Sequence, residues 1–127
     1  MKKVLVVDDE KEIADLLGKA LKKHRYLVRV ANSGEEALAL CQTGGKVDLM
    51  LLDIAMPGID GYQTCQALRN DPKLANIPVI FLTGKDLDPD SLEKHMQELG
   101  VHDYIPKPST VQEMLDKVKE FFEKQKT

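Results

Sequence analysis

Side chains that can bind a metal ion or a phosphoryl group follow four short apolar runs of this sequence. They are Asp8, Asp9 and Glu10 after "KVLVV", Asp53 after "VDLMLL", Thr83 at the end of "IPVIFLT" and Lys107 shortly after "VHDYI". Clustered carboxylates repel one another, and Mg²⁺, which prefers oxygen ligands, commonly relieves that repulsion. A lysine and a hydroxyl beside such an ion suit the remaining oxygens of a phosphoryl group. Because a carboxylate can also be a covalent nucleophile, the pattern predicts Mg²⁺-assisted phosphoryl transfer to an aspartate.

Each of these side chains, taken alone, also has a structural interpretation. Acids at the start of a helix interact favourably with the helix dipole. A threonine that ends a strand is usually only a strand residue, and a lysine before a proline usually lies in a surface loop. The observation that favours a shared site is therefore their joint placement at matching strand ends.

The segments that must hold these residues alternate between strand and helix patterns. Predicted strands cover residues 3–7, 26–31, 47–52, 77–83 and 101–105. An amphipathic helical pattern follows each of them. Runs of Val, Ile and Leu without alternation indicate strands buried on both faces, as in a parallel sheet covered by helices. The sequence therefore predicts an α/β fold, a doubly wound five-stranded parallel sheet with helices on both faces. Such sheets bind ligands outside the carboxyl ends of their strands.

Two of the predicted helices carry clear end signals. Ser33, followed three residues later by Glu36, forms a capping-box pattern at the start of the second helix. Asp88 as N-cap, Pro89 in the first turn and Gly100 as the stop delimit the fourth helix.

Composition and charge indicate a globular chain and exclude several function classes. Of the 127 residues, 43% are hydrophobic and 31% are charged, and the net charge is -3. Acids and bases are spread evenly along the chain, which argues against direct nucleic-acid binding. The apolar part of "MKKVLVVDDE" is too short for a secretory signal, and no segment approaches the length of a membrane span. We therefore expect a cytoplasmic protein that does not contact membranes.

The cysteines and histidines do not suggest a metal site. Cys41 and Cys65 fall on apolar faces of predicted helices, so we expect reduced thiols in the core. His24, His95 and His102 lie far apart in the chain without metal-ligand spacing, and we expect them at the surface.

Four motifs of the chain occur together in one known family. They are "VVDDE", "LLDIAMPGIDG", "FLTG" and "YIPKP". With them the chain resembles the response-regulator receiver domains of bacterial two-component signalling, in particular the stand-alone, chemotaxis-regulator-like kind. The resemblance covers residues 1–127 as a single receiver domain with no output domain, and it implies the flavodoxin-like strand order 2-1-3-4-5.

The resemblance also implies how such a protein works. It would be a phosphoacceptor regulator rather than an enzyme, catalysing only its own phosphorylation and dephosphorylation. Its partners would be a histidine kinase or phosphotransfer protein, which supplies the phosphoryl group, and a downstream target protein, bound through a changed surface. It would be a monomer or a weak phosphorylation-dependent dimer.

The family pattern, transferred residue by residue, gives the site its roles. Asp53 would accept the phosphoryl group and ligate Mg²⁺. Asp9 would bind the ion directly and Asp8 through water, and the backbone carbonyl of Ala55 would be a third protein ligand.

The remaining family positions concern the phosphoryl group itself. Thr83 would donate a hydrogen bond to it, and Lys107 would pair with it. Tyr104 would be a rotameric switch coupled to Thr83, and the Lys107–Pro108 bond would be cis. Ala55 and Lys85 would flank the face that water attacks, which predicts slow loss of phosphate.

The chain departs from the family pattern at two positions. Gly84 stands where Ala or Ser is commoner, and Ser109 stands where an apolar residue is frequent. Neither change removes a reacting group.

Three other functions fit parts of the pattern. A haloacid-dehalogenase-like phosphohydrolase needs a second Asp two residues after its nucleophile, where this chain has Ala55. A flavodoxin-like or nucleotide-binding module needs a Gly- or Ser/Thr-rich phosphate loop, whereas the first loop here is the acidic "DDEKE". A degenerate receiver acting as a phosphorylation-independent scaffold would lack reacting groups that this chain retains.

Overall fold

Five strands and five helices alternate along the part of the chain that the computed structural model describes, residues 1–84, 86–107 and 109–125. The strands are β1 (Lys3–Val7), β2 (Leu27–Ala31), β3 (Leu49–Asp53), β4 (Val79–Thr83) and β5 (Asp103–Pro106). The helices are α1 (Lys11–Lys23), α2 (Gly34–Thr43), α3 (Gly61–Asn70), α4 (Pro89–Leu99) and α5 (Val111–Gln125). The first predicted strand matches β1 residue for residue, and the others differ from the observed strands by one or two residues at their ends.

The five strands form one parallel sheet in the order β2-β1-β3-β4-β5. This confirms the predicted fold class and the flavodoxin-like order that the resemblance implied. Val7 of β1 lies opposite Leu52 of β3, and Asp53 lies opposite Leu82 of β4. Because the register is so even, the residues that end or follow the strands meet at one edge of the sheet. We call this the carboxyl edge and the opposite one the amino edge.

The sheet separates two hydrophobic cores, because successive side chains of a strand point to opposite faces. On one face, alternate residues of β1 and β3 pack with α2, α3 and α4: Leu5, Val7, Met50, Leu52, Ala37, Cys41, Cys65, Leu68, Leu92 and Leu99. On the other face the intervening residues pack with α1 and α5: Val4, Val6, Leu49, Leu51, Ala14, Leu21, Met114, Leu115, Val118 and Phe122. Every residue of β3 and β4 is buried, so these two interior strands form a rigid support.

The start of α2 has half of the predicted capping box. The Ser33 hydroxyl accepts a hydrogen bond from the Glu36 amide, as expected. The Glu36 carboxylate, however, accepts from the amide of Asn32 and not from that of Ser33. Since Asn32 immediately precedes the cap residue, the Glu36 side chain still fixes the backbone where the helix begins.

The ends of α4 match their sequence signals. The Asp88 carboxylate caps the helix by accepting from the Ser91 amide, and Pro89 is the first helical residue. Gly100 ends the helix with a φ of 67°, a left-handed conformation that glycine adopts without a steric penalty.

The predictions for the cysteines and for two of the three histidines are confirmed. Cys41 and Cys65 are free thiols, both buried. His24 and His102 are exposed. His95 is half-buried, because its ring stacks on Tyr62 of α3 with the ring centres 3.8 Å apart. In the described ranges, no helix is long and apolar enough to cross a membrane.

Candidate functional site

Four elements of the fold converge on the carboxyl edge. Asp8 directly follows β1, Asp53 is the last residue of β3, Thr83 is the last residue of β4 and Lys107 directly follows β5. Asp8, Asp53 and Thr83 are all buried, at 0%, 3% and 5% exposure. The backbone of Lys107 is fixed to the neighbouring strand, since its amide donates to the Thr83 carbonyl at 2.6 Å.

The close approach of α3 holds the acceptor strand in place. The Gly61 amide donates to the Ile54 carbonyl at 2.8 Å. A Cβ atom at Gly61 would lie only 2.5 Å from the Asp53 carbonyl oxygen and 2.6 Å from the Ile54 Cα. Both neighbours are backbone atoms, so only glycine allows the helix to start this near the end of β3. The helix start is further fixed by a complete capping box between Asp60 and Gln63.

Lys107 links three carboxylates across the site. Its Nζ lies 2.8 Å from Asp8 Oδ2, 3.3 Å from Glu10 Oε1 and 3.4 Å from Asp53 Oδ2. The lysine lies 99 and 97 positions from Asp8 and Glu10 in the chain and 54 positions from Asp53. One ammonium group thus balances part of the charge of three acids.

The backbone around β1 orients the Asp8 side chain. The Glu10 amide donates to Asp8 Oδ1 at 3.0 Å, which leaves Oδ2 for Lys107. The Asp8 amide donates to the Ala31 carbonyl, and the Asn32 side chain donates to the Asp8 carbonyl. Every polar group of Asp8 is therefore held by a neighbour.

The pKa values of Asp53 and Lys107 show how charge is balanced in the cluster. Burial raises the pKa of Asp53 to about 7, and the negative charges of Asp8 and Asp9 add to the effect while Lys107 opposes it. Burial lowers the pKa of Lys107, but its bond to Asp8 and the charges of Asp53 and Asp8 outweigh this, and the net shift is upward. Asp53 is thus a carboxyl whose charge is poorly compensated by protein alone.

Asp8, Asp9 and Asp53 can offer ligands to one metal ion. Each has a carboxylate oxygen within 4.8 Å of an oxygen from each of the other two. The donor set is made only of oxygens and carries an excess of negative charge, which suits Mg²⁺. Ala55, whose carbonyl the resemblance implied as a further ligand, lines the same open cavity of about 530 Å³ as Asp53 and Lys107.

The two proposed switch residues differ in exposure. Thr83 is buried, whereas Tyr104 on the edge strand β5 is 42% exposed. The structure therefore brings Thr83 to the site and places Tyr104 outward, on the neighbouring strand. Two further expectations, the cis bond before Pro108 and the position of Lys85, lie outside the described residues.

One residue of the site has no role in the sequence-based interpretation. Glu10 was recognised only as an acid at a strand end, and its ion pair with Lys107 depends on a contact between distant segments. The capping box at α3 was also missed, although its Asp-x-x-Gln spacing is readable in "DGYQ". Ser109 turns its hydroxyl to the Pro106 carbonyl, which is a polar contact at a position where the family often has an apolar side chain.

Comparison with known proteins agrees with the fold. A family model described as the response regulator receiver domain matches residues 4–119. The chemotaxis protein CheY4 of Vibrio cholerae matches with a TM-score of 0.85 at 27% identity, over 94% of this chain and 98% of that one. The receiver domain of the Francisella response regulator 1452 matches with a TM-score of 0.83 at 31% identity, over 98% and 99%. A putative response regulator from Chloroflexus aurantiacus J-10-fl matches with a TM-score of 0.81 at 36% identity, over 94% and 95%.

Receiver domains are signalling domains and not classical enzymes. The match spans nearly the whole chain, and the described structure has the fold and the acidic cluster of such a domain. The chain therefore belongs to the response regulator receiver domain family of two-component signalling.

Proposed function

We propose that Asp53 accepts a phosphoryl group from the phosphohistidine of a histidine kinase or a phosphotransfer protein. The observation that carries this proposal is the position of Asp53. It ends a fully buried strand, faces two other acids and lies 3.4 Å from the Lys107 ammonium. A carboxylate held this rigidly beside a cation has the geometry that an in-line nucleophile needs.

The transfer exchanges one bond to phosphorus for another. An Asp53 carboxylate oxygen forms a bond to phosphorus while the bond from phosphorus to the imidazole nitrogen breaks. The nitrogen keeps the electron pair. Lys107 would neutralise charge on the phosphoryl oxygens, and Thr83 would donate its hydroxyl hydrogen to one of them.

Mg²⁺ is the cofactor that the donor set fits. Asp9 and Asp53 would bind it directly, Asp8 through water and Ala55 through its backbone carbonyl. When bound, the ion neutralises the acids and stabilises negative charge on the phosphoryl group.

The competing functions find less support in the site. A phosphohydrolase of the haloacid-dehalogenase type needs an acid where Ala55 contributes only a methyl group. A scaffold that ignores phosphorylation would not need Asp53 to be a buried acid with a raised pKa. A phosphoacceptor needs a buried acid such as Asp53 and needs no second acid at the position of Ala55.

Thr83 and Tyr104 are proposed to carry the signal to the target surface. If the phosphoryl group draws the Thr83 hydroxyl inward, the space behind it can admit the Tyr104 ring, which lies exposed in this structure. Phosphorylation shifts such an equilibrium only by its differential affinity for the two states. Thr83→Ala should therefore still accept phosphate and lose most of the phosphorylation-dependent gain in target affinity. Equal gains in the wild type and the variant, measured by calorimetry, would argue against the switch.

The region described here is proposed to act as one receiver domain in the cytoplasm. Its effect would come from contact with a downstream target. It would be a monomer or a weak dimer that forms on phosphorylation.

The direct test is the intact mass after incubation with Mg²⁺ and a small phosphoramidate donor. We expect one added phosphoryl group, mapped by peptide analysis to Asp53. Asp53→Asn should lose the adduct, and Asp116→Asn, a change of the same kind at an exposed position of α5, should keep it. An unchanged adduct in Asp53→Asn would contradict the proposal.

A further inference from the structure

Glu10 contacts the key lysine of the site from the solvent side. Its Oε1 lies 3.3 Å from Lys107 Nζ, while its side chain remains 59% exposed. Asp8 and Asp53 contact the same ammonium from the buried side. Lys107 is therefore held between an inner pair of acids and one outer acid.

The side chain of Glu10 is not needed to start α1. Glu10 is the N-cap residue of that helix, yet among the described residues its carboxylate makes no cap hydrogen bond. The bond from Glu10 that orients Asp8 comes from the backbone amide and does not depend on the side chain. The contact with Lys107 is thus the distinctive contribution of this carboxylate.

Phosphorylation changes what Lys107 can bind. Under the proposed function, on which this inference rests, the inner acids become engaged with Mg²⁺ and Asp53 carries the phosphoryl group. The ammonium must then turn to the phosphoryl oxygens. Glu10 is not a proposed metal ligand, so its carboxylate stays charged and keeps its ion pair with Lys107.

We propose that Glu10 is a positioning residue that competes with the phosphoryl group for Lys107 and so slows phosphoryl transfer. Removing this contact frees the ammonium for the phosphoryl oxygens. Because the contact is exposed to solvent, its effect is small, and we expect a gain of about two- to five-fold in rate.

The test compares Glu10→Gln with two matched variants at saturating Mg²⁺ and a fixed concentration of the phosphoramidate donor. Glu10→Gln should be phosphorylated about two- to five-fold faster than the wild type. Glu10→Asp keeps the charge but is one methylene too short to hold the lysine, and it should be faster as well. Glu12→Gln removes the same charge from the first turn of α1, where Glu12 makes no ion pair within the described ranges, and it should match the wild type.

A second measurement needs neither metal nor phosphate. Glu10→Gln and Lys107→Met are combined in a double-mutant cycle, and unfolding in urea is followed in the presence of a chelator. A direct contact predicts that the two shifts in the unfolding midpoint are not additive. The pair Glu12→Gln and Lys107→Met should be additive.

Each outcome decides the proposal. Equal rate gains in Glu10→Gln and Glu12→Gln would indicate a general charge effect and would overturn the proposal. An unchanged rate in Glu10→Gln would overturn it too, and so would an additive double-mutant cycle. If the wild type itself takes up no phosphate, the proposed function fails, whereas the metal-free cycle still reports on the contact between Glu10 and Lys107.

Discussion

The two edges of the sheet carry the same kinds of charged residue in opposite arrangements. At the amino edge, Asp48 accepts from the Lys3 amide at 2.8 Å and pairs with Lys46 at 3.7 Å. This single acid therefore has two donors, and Lys46 is 87% exposed. At the carboxyl edge, one lysine serves three acids, and two of these are buried.

The difference shows that the arrangement of charge, and not the size of a cavity, identifies the site. The cavity at the amino edge, about 920 Å³, is larger than the one of about 530 Å³ at the carboxyl edge. Buried acids that lack enough donors raise the free energy of the folded state. Such a cost is typical of functional sites, where a ligand or reaction relieves it.

The largest expected difference between the edges concerns two glycines. Gly61→Ala at the carboxyl edge would force a Cβ against the backbone of Asp53 and Ile54, and we expect a loss of about 3 kcal/mol in the free energy of unfolding. Gly45 at the amino edge has open space around it and a φ of 81°, so Gly45→Ala should cost only about 1 kcal/mol. Urea unfolding measures both, and equal losses would show that α3 is free to shift away from the acceptor strand.

The lysines of the two edges should also differ. Lys107→Met removes the ammonium from three acids, and we expect a loss of about 2 kcal/mol at pH 8 without metal. Lys46→Met removes an exposed pair and should change stability by less than about 0.5 kcal/mol. A Lys107→Met variant as stable as Lys46→Met would mean that the acids at the carboxyl edge do not depend on the lysine.

An effect of similar size and opposite sign is expected for the acids. The pKa of Asp53 is about 7 when folded, against about 3.9 for an unfolded aspartate. Between these values the folded state binds more protons than the unfolded state, so the contribution of Asp53 to stability falls as pH rises from 4 to 7. Asp53→Asn should therefore stabilise the metal-free protein by about 2 kcal/mol at pH 8 and by little at pH 4.

The matched variant at the amino edge is Asp48→Asn. It replaces the carboxylate that accepts from the Lys3 amide by a weaker, neutral acceptor and removes the ion pair with Lys46, so it should destabilise the protein by about 1 kcal/mol at pH 8. Thermal or urea unfolding at both pH values checks the pair. If both variants lost stability at pH 8, the charge of Asp53 would not destabilise the folded state.

The sequence predicted the strands and the ends of α4 well because their signals are local. The apolar run that forms β1 and the cap, proline and terminal glycine of α4 can each be read within a few residues. The strand order is not a local property, and it came from the resemblance to a family. The acids and the lysine of the site were indicated by their placement at the strand ends, and the resemblance gave each of them its role.

The parts that the sequence did not predict depend on contacts between distant segments. The pairing of Glu10 with Lys107 joins residues 97 positions apart. The stacking of His95 on Tyr62 depends on how α4 packs against α3. The reason for Gly61 became visible only when the start of α3 was placed against the Asp53 carbonyl. None of these contacts follows from the periodicity of apolar residues.

The central claim is that the acids at the carboxyl edge form a cation site, and that Asp53 is the acid whose negative charge a bound cation compensates most. The most direct measurement is Mg²⁺ binding by calorimetry between pH 6 and 8, in buffers of different ionisation enthalpy. With the pKa of Asp53 at about 7, the wild type should release about half a proton on binding near pH 7 and bind roughly ten-fold more weakly at pH 6 than at pH 8. In Asp53→Asn, binding should be weaker, independent of pH in this range and without proton release. Equal affinity and equal proton release in the wild type and Asp53→Asn would contradict the claim.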